Sequence, residues 1–280
     1  MAKIELASAL RQALQNDELQ VHYQPIVELD DHSIRGVEAL ARWTHPTRGP
    51  VPPCEFIAVA EETGLVISLG EFVLRTACLQ VARWRAVSSS GIGTRRPSRP
   101  QRALELSVNV SGHQVNRPRF ADVVASALDE SGLDPQALCL EITESVVMDD
   151  SDITVAALRR LLELGVKLAI DDFGTGYSGL ALLRRHPVQI LKIDKTFVDG
   201  LGTNARDHAI VKTILDLAPV FGFEAVAEGV ENTRQLDILH ALGCKRAQRF
   251  LWSRPVDAEQ MEAVLTVGHG RLPDPRVNGR

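Results

Sequence analysis

Polar side chains that could bind a metal ion recur along this sequence, each towards the end of an apolar stretch. A single polar residue there would be unremarkable, but charged and amide groups inside apolar strands are costly unless they are paired or bound to metal. The residues of this polar set are Glu38, Asn109, Glu141, Asp171, Asp172, Lys192, Asp194, Glu228 and Gln248.

The polar set is rich in oxygen ligands and has no histidine or cysteine at ligand spacing. Such a composition favours Mg²⁺ or Mn²⁺ over Zn²⁺. The adjacent Asp171 and Asp172 can each reach a different ion or bridge both ions, as a site for two metal ions requires. The chemistry that the set indicates is therefore metal-ion catalysis.

A simpler interpretation exists for each of these residues taken alone. An aspartate at the end of a strand often caps the N-terminus of the next helix, and for any one position this is the more common role. The recurrence at nearly every strand favours convergence on the mouth of a barrel, where active sites of that fold lie. Carboxylates that meet there repel one another unless cations are bound.

The elements that must position the polar set begin with an amphipathic helix at 3–16 and two strands at 19–29 and 34–43. The turn signal at 30–33 joins these strands so tightly that they must pair antiparallel. Further strands are predicted at 103–110, 137–142, 167–170, 188–193, 224–227 and 247–251, with helices between most of them, for example at 153–164 and 207–220.

Alternating strands and helices indicate a parallel sheet with right-handed crossovers, and the strand count comes to about eight. We therefore predict an α/β fold, a (β/α)8 TIM-like barrel with an irregular antiparallel first strand. The predicted organisation is an N-terminal helix or linker at 1–18, the barrel at 19–267 and a flexible tail at 268–280.

Bulk composition restricts the class of protein. The 280 residues carry a formal charge of −5, which argues against a general nucleic-acid binder and so against a DNA partner. No apolar run reaches the roughly 18 residues of a membrane span, and Glu5 stands where a signal peptide needs an apolar stretch, so we expect neither feature in this sequence. The four cysteines form no CxxC pair, so we expect buried free thiols in the cytoplasm. Residues 87–102, rich in breakers, are predicted to form a mobile surface loop.

A dinucleotide-binding oxidoreductase is a competing hypothesis, because residues 174–179 fit G-x-G-x-x-G after a strand and Asp194 stands where a ribose-binding acid would lie. Two aspartates directly before the glycines would repel a bare pyrophosphate. The helix that follows is cut short by Pro187, and the match falls in the fifth strand unit instead of opening a half-sheet. These features favour the metal-dependent barrel.

At this point the residues resemble a known family, the EAL domains, which are bacterial cyclic di-GMP phosphodiesterases. The signature that gives the family its name is Glu38-Ala39-Leu40-x-Arg42, and the resemblance extends from about Leu19 to Pro255. The further matching blocks, in order, begin at Tyr23, Asn109, Glu141, Asp171, Leu191, Ala227 and Ser253. The resemblance implies hydrolysis of cyclic di-GMP to linear pGpG.

The resemblance also implies a site for two Mg²⁺ or Mn²⁺ ions. The residues that resemble the ligands of the first metal are Glu38, Asn109, Glu141 and Asp171. Those that resemble the ligands of the second metal are Asp171, Asp172 and Glu228. Two such cations polarise phosphoryl oxygens and support in-line departure of the 3′ oxygen.

Other roles follow from the same resemblance. Lys192 resembles the lysine that contacts the nucleophilic water, and Glu144 resembles the glutamate that holds the loop at 172–177 in its active shape. The catalytic set that it implies is Lys192, Glu38, Glu228 and Glu144. The positions associated with substrate are Gln24, Arg42, Asp194, Gln248 and Pro255. A homodimer through residues 172–179 and the following helix is implied as well.

This sequence departs from the family pattern at a few positions. Arg249 stands where glycine is usual, Phe250 replaces a common tyrosine, and Gly179 replaces a frequent serine. We expect Arg249 to point outward, because its neighbour Gln248 should point into the barrel. The alternative function is a catalytically inactive cyclic di-GMP receptor or protein-interaction domain, but receptors of that kind lose metal ligands or the loop glutamate, and this chain keeps both.

Overall fold

The computed structural model describes residues 3–16, 18–89, 103–149, 151–175, 188–249, 253–267 and 270–274. Its strands are β1 (Leu19–Glu28), β2 (Ile34–His45), β3 (Gly49–Val51), β4 (Glu105–Val110), β5 (Leu138–Thr143), β6 (Lys167–Phe173), β7 (Ile190–Ile193), β8 (Glu224–Val230) and β9 (Arg246–Arg249). Its helices are α1 (Lys3–Ala13), α2 (Pro53–Thr63), α3 (Val66–Ser89), α4 (Gly112–Val115), α5 (Phe120–Ser131), α6 (Glu144–Val147), α7 (Asp152–Glu163), α8 (Lys195–Asp199), α9 (Ala205–Phe221), α10 (Thr233–Ala241) and α11 (Ala258–Val267).

Eight strands close into a barrel in the order β1-β2-β4-β5-β6-β7-β8-β9, with β9 returning to β1. β1 is antiparallel to both of its neighbours, whereas the other strands of the barrel are parallel. The predicted (β/α)8 barrel with an irregular antiparallel first strand is therefore confirmed. The dinucleotide-binding alternative is wrong, because it requires an open sheet. The short β3, which the sequence reasoning missed, extends the sheet beyond β2 as a hairpin.

Helix boundaries follow local capping chemistry. Ser151 begins α7 by accepting a hydrogen bond from the Thr154 amide, and Asn204 begins α9 in the same way through the Arg206 amide. α9 ends at Gly222, whose φ of 78° is the left-handed conformation that glycine adopts without a Cβ clash. These caps place each crossover helix at a defined length against the sheet.

The two faces of β1 show how the barrel wall is filled. Tyr23 points outward, where its ring packs 4.9 Å from that of Trp84 in α3. Ile26 points inward and joins a buried apolar group inside the barrel together with Cys139, Ala169, Ile190 and Val226. Because side chains alternate along a strand, the positions of β1 that face inward are the even-numbered ones.

α1 precedes the barrel in the chain and also packs against it. Leu6 and Leu10 are buried in a cluster with Trp43 of β2 and Phe56 of α2, and Lys3 forms an exposed ion pair of 2.8 Å with Glu62. The helix predicted at 3–16 is confirmed but ends at Ala13.

We call the end of the barrel where the parallel strands finish the mouth, and the opposite end the floor. The floor is filled by an ionic layer centred on Glu105, whose carboxylate lies 3.1 Å from Arg35, 2.6 Å from Lys167 and 3.4 Å from Arg246. Arg246 also pairs with Glu28 and Glu224 at 3.1 and 2.5 Å. Three acids and three bases thus balance one another where the strands begin.

Part of the predicted tail is ordered. The backbone amide of Ile34 donates to the Gly270 carbonyl at 2.7 Å, and that of Leu272 donates to the His32 carbonyl at 3.0 Å. Leu272 is only 9% exposed. The interpretation of 268–280 as a flexible tail is therefore wrong for residues 270–272, which clasp the β1–β2 turn because Leu272 has an apolar surface to bury. Residues 275–280 lie outside the described part of the chain.

Two smaller expectations need comment. Cys78, Cys139 and Cys244 are buried free thiols as expected, but Cys54 is exposed, because it lies in the first turn of α2. α3 runs to Ser89, so the predicted loop at 87–102 is wrong at its first three positions, and its remaining positions, 90–102, lie outside the described residues. Among the described helices none is long and apolar enough to cross a membrane.

Candidate active site

An acidic layer lies directly above the apolar filling of the barrel, towards the mouth. Glu38 of β2 is 6% exposed and accepts a hydrogen bond of 2.5 Å from the Asn109 amide of β4. Its second oxygen accepts from the Gln248 amide of β9, which also donates to Gln24 of β1 at 2.9 Å. Four strands are thereby joined through one carboxylate.

Lys192 stands at the centre of this layer and is 2% exposed. Its Nζ lies 2.5 Å from Glu228, 2.6 Å from Glu141, 3.2 Å from Asp171 and 3.8 Å from Glu38. A buried ammonium is stable only with such compensation, since desolvating an unpaired charge costs several kcal/mol. Lys192 therefore acts as the charge about which the carboxylates of neighbouring strands are arranged.

Three carboxylates form the tightest group. Asp171, Asp172 and Glu228 each offer an oxygen, and these atoms lie within 4.8 Å of one another. Such a group could hold a metal ion, because hard divalent cations take carboxylate oxygens.

β-Bulges position this carboxylate group. The pairing of β6 with β7 shifts between Ile170 and Phe173, where Asp172 adopts a φ of 53°. The pairing of β8 with β9 shifts between Ala227 and Val230, where Gly229 has a φ of 64°. A left-handed residue that is not glycine costs on the order of 1 kcal/mol. The bulges re-aim consecutive side chains so that both aspartates and Glu228 reach one place.

Burial and mutual repulsion raise the pKa of Glu228, Asp172 and Glu141. Burial raises the pKa of Glu228 to about 8 against the opposing effect of Lys192. Burial and the neighbouring Asp171 raise the pKa of Asp172 to about 6, and burial raises that of Glu141 well above its usual range. Burial disfavours the charged form of Lys192, yet the surrounding carboxylates hold its pKa well above the ordinary value. One lysine does not fully offset the crowded negative charge.

Glu144 and Asp194 lie at the edge of the acidic layer. Glu144 begins α6 and accepts a hydrogen bond of 3.2 Å from the Gly174 amide, two residues after Asp172. Asp194 caps α8 by accepting from the Thr196 amide at 2.9 Å, and a side-chain hydrogen bond links it to Asp172. The simpler role of a helix cap thus applies to Asp194, although its carboxyl also reaches the site.

Positive charge and a polar rim lie towards the mouth. Arg42 is half-buried on the same face of β2 as Glu38, and its guanidinium donates to the Ala41 carbonyl at 2.8 Å. Burial lowers the pKa of Arg42, and the charge of Glu38 opposes that effect. The Pro255 carbonyl lies 3.4 Å from Nδ1 of His22 on β1. The sequence reasoning missed His22, although it stands two residues before Gln24 on the same strand face.

The structure gathers most of the predicted polar set into one layer. Residues it brings together at the mouth are Gln24, Glu38, Asn109, Glu141, Asp171, Asp172, Lys192, Asp194, Glu228 and Gln248. Glu144 contacts the loop after β6 as expected, whereas residues 176–179 and the side chain of Arg249 lie outside the described structure.

Two observations fit this layer to a metal ion. Its ligand atoms are carboxylate and amide oxygens, the set expected for a hard cation. Within the described residues, Oε1 of Gln248 is buried and accepts no hydrogen bond, and buried polar atoms normally have partners.

Comparison with known proteins decides the family. The model of the EAL domain matches residues 7–255. The chain belongs to the EAL domain family. Over 263 residues it is 40% identical to the cyclic di-GMP phosphodiesterase NbdA of Pseudomonas aeruginosa, covering 94% of this chain and 32% of that protein. It is 47% identical over 264 residues to an uncharacterised protein of Mycobacterium tuberculosis, covering 94% of this chain and 40% of that protein.

A solved structure agrees with this assignment. The MucR phosphodiesterase of Pseudomonas aeruginosa, in complex with c-di-GMP, superposes on this EAL domain with a TM-score of 0.83 at 41% identity. The match covers 92% of this chain and 99% of that one. The chain spans 30% to 40% of the length of the curated relatives that it matches.

Proposed function

We propose that this EAL domain hydrolyses cyclic di-GMP to linear pGpG. The observation that carries the proposal is the acidic layer at the mouth, in which Asp171, Asp172 and Glu228 converge beside Lys192. Relatives at about 40% identity that carry the name of cyclic di-GMP phosphodiesterase support it. The product follows from opening one phosphodiester bond of a cyclic dinucleotide.

The charge of the layer supports two divalent cations, Mg²⁺ or Mn²⁺. Five carboxylates around one ammonium carry a formal charge of −4, which two such ions would balance. The residues that would hold them are Glu38, Asn109, Glu141, Asp171, Asp172 and Glu228. When bound, such ions polarise phosphoryl oxygens and lower the pKa of water.

The side chains of this chain supply the remaining requirements. Lys192 orients the attacking water or offsets charge that develops on the phosphoryl oxygens, since its Nζ lies among the acids that converge there. Arg42 provides positive charge for the second phosphate on the same strand face. Gln24 and Gln248 fix Glu38 in place, so that the ligand geometry is set before substrate arrives.

Turnover of cyclic di-GMP, with products resolved by chromatography, tests the proposal. We expect hydrolysis with Mg²⁺ or Mn²⁺ and none in EDTA. Ca²⁺ should inhibit, because its longer and looser coordination disturbs in-line geometry. Full activity in EDTA would contradict the metal-dependent mechanism.

A matched pair of variants sharpens this experiment. Asp171→Asn removes one charge from the acidic layer and should reduce kcat by about a thousandfold. Asp216→Asn makes the same change on the exposed face of α9, where Asp216 pairs with Lys212 at 2.5 Å, and should leave kcat unchanged. Tight binding of cyclic di-GMP without turnover in any metal would favour the alternative, an inactive receptor.

Two further proposals accompany the activity. A homodimer through residues 172–179 and the following helix rests on family resemblance, and light scattering that shows only monomer at high concentration would count against it. A cytoplasmic location agrees with three buried free thiols and with a guanine nucleotide substrate.

A further inference from the structure

His22 has no role in the acidic layer, yet the fold places it on the wall of the same mouth. It lies on β1 two residues from Gln24, whose side chain points into the barrel, and opposite Leu40 in the β1–β2 register. Alternation along the strand directs His22 to the same face. Because β1 runs antiparallel, His22 stands about 7 Å nearer the rim than Gln24.

The surroundings of His22 fix its hydrogen-bonding state. The Pro255 carbonyl, 3.4 Å from Nδ1, can only accept a hydrogen bond, so Nδ1 must carry the proton. The segment that provides this carbonyl is held against β1 by two backbone bonds between Tyr23 and Val256, of 2.7 and 3.0 Å. In the neutral ring Nε2 is then an acceptor.

An acceptor at this position selects among the groups of a cyclic dinucleotide. Phosphate oxygens accept hydrogen bonds and offer no proton to Nε2. Guanine offers donors at N1 and at its 2-amino group. If a phosphate is held in the acidic layer, its ribose and base would extend towards the rim, where His22 lies, and the base edge would reach farther than the ribose 2′-hydroxyl, which is the other donor of the molecule.

We propose that His22 is a specificity-determining residue, whose Nε2 accepts a hydrogen bond from the N1–H or 2-amino edge of a substrate guanine. The inference rests on the proposed function and deepens it. It makes the rim of β1, held by the Pro255 carbonyl, the part of the site that distinguishes a guanine from a base without these donors.

Three variants separate the possible contributions of the ring. His22→Gln keeps an acceptor at about the distance of Nε2, His22→Phe keeps a flat ring without an acceptor, and His22→Ala keeps neither. His240→Gln is the matched control, because His240 is exposed and pairs with Asp30 at 3.3 Å on the floor side. Circular dichroism and thermal unfolding check that each variant is folded.

Each variant is assayed for kcat and KM with cyclic di-GMP and with bis(p-nitrophenyl) phosphate, a diester without a base. For His22→Phe and His22→Ala we expect KM for cyclic di-GMP to rise about tenfold, with a smaller change in kcat. The value of kcat/KM for cyclic di-GMP, divided by that for bis(p-nitrophenyl) phosphate, should fall to match. His22→Gln should retain most of that ratio. The inference is overturned if this ratio of kcat/KM values is unchanged in all three variants, or if His22→Phe retains it.

Binding of cyclic di-GMP in Ca²⁺, measured by calorimetry, keeps the test independent of turnover. His22→Phe should bind about tenfold more weakly than the unmodified chain, while His240→Gln should bind equally. If the unmodified chain hydrolyses neither diester, the proposed function fails, and the calorimetric comparison still decides the role of His22. Equal affinity of all variants, or no binding by any, contradicts the role.

Discussion

At the scale of single residues, the hydrogen-bond partners of Glu38 change what a substitution is expected to do. Sequence alone suggests that Glu38→Ala leaves stability steady, because the deleted group would face a wet mouth and its loss would relieve repulsion. In the structure Glu38 is buried and accepts from the amides of Asn109 and Gln248. Truncation therefore leaves one N–H of the buried Gln248 amide without its acceptor, which is destabilising, whereas the exposed Asn109 amide can turn to solvent.

We predict that Glu38→Ala lowers the free energy of unfolding by about 1–3 kcal/mol and abolishes hydrolysis. Glu38→Gln keeps the shape and one acceptor, so it should lose hydrolysis by about a thousandfold while its stability changes by less than about 1 kcal/mol. Urea unfolding in EDTA and chromatographic turnover provide the two measurements. Near wild-type turnover by Glu38→Gln would remove Glu38 from the site.

A second prediction concerns Lys192, whose substitution removes positive charge from the acidic layer. Lys192→Met leaves the surrounding buried acids uncompensated, so stability in EDTA should fall by about 3 kcal/mol. Mg²⁺ should recover part of this loss, because a cation that binds only the folded state stabilises it. The control is Lys212→Met, an exposed pair in which the change should stay below about 1 kcal/mol. A Lys192→Met protein as stable as the parent in EDTA would contradict the charge balance proposed for the layer.

At the scale of elements, the sequence predicts more of the strands than of the site geometry. Apolar runs and turn signals locate the strands of the barrel to within a few residues, and the even-odd alternation of β2 places Glu38 and Arg42 on one face. The bulges in β6 and β8 are invisible to such patterns, because they depend on left-handed backbone conformations at Asp172 and Gly229. The ionic floor is not predicted either, since Glu105 and Arg246 stand where strands begin, whereas the predicted polar set lies where strands end.

The loop after β6 supplies the prediction that belongs to this scale. Glu144 holds the Gly174 amide at 3.2 Å, next to the strained Asp172. Glu144→Ala should free that amide and let Asp172 leave its position, reducing kcat by about ten- to a hundredfold with little loss of stability. Glu144→Gln keeps an acceptor and should lose much less. If the two variants are equally impaired, the charge of Glu144 matters more than its hold on the loop.

At the scale of the whole molecule, the C-terminal clasp joins the end of the chain to the β1–β2 turn at the floor. Removing residues 270–280 deletes two backbone hydrogen bonds to that turn and the burial of Leu272. We predict a loss of about 1–3 kcal/mol in the free energy of unfolding, with kcat unchanged, because the mouth lies at the other end.

A chain that stops after residue 274 keeps the clasp and serves as the control for this truncation. Chemical unfolding of both chains, beside their turnover of cyclic di-GMP, separates stability from catalysis. Equal stability of the two chains would mean that the clasp contributes nothing to the folded state.

The ionic floor also determines by which end of the barrel a ligand can enter and leave. Where the structure describes the barrel, apolar side chains and the ionic floor fill it beneath the acidic layer, so the site is open at the mouth and closed at the opposite end. Under the proposed function, the linear product would leave by the route along which the next cyclic substrate arrives. Product release and substrate binding then compete for the mouth, and accumulating pGpG should slow turnover as a competitive inhibitor. The rate of a full catalytic cycle then depends on how quickly the product leaves the mouth.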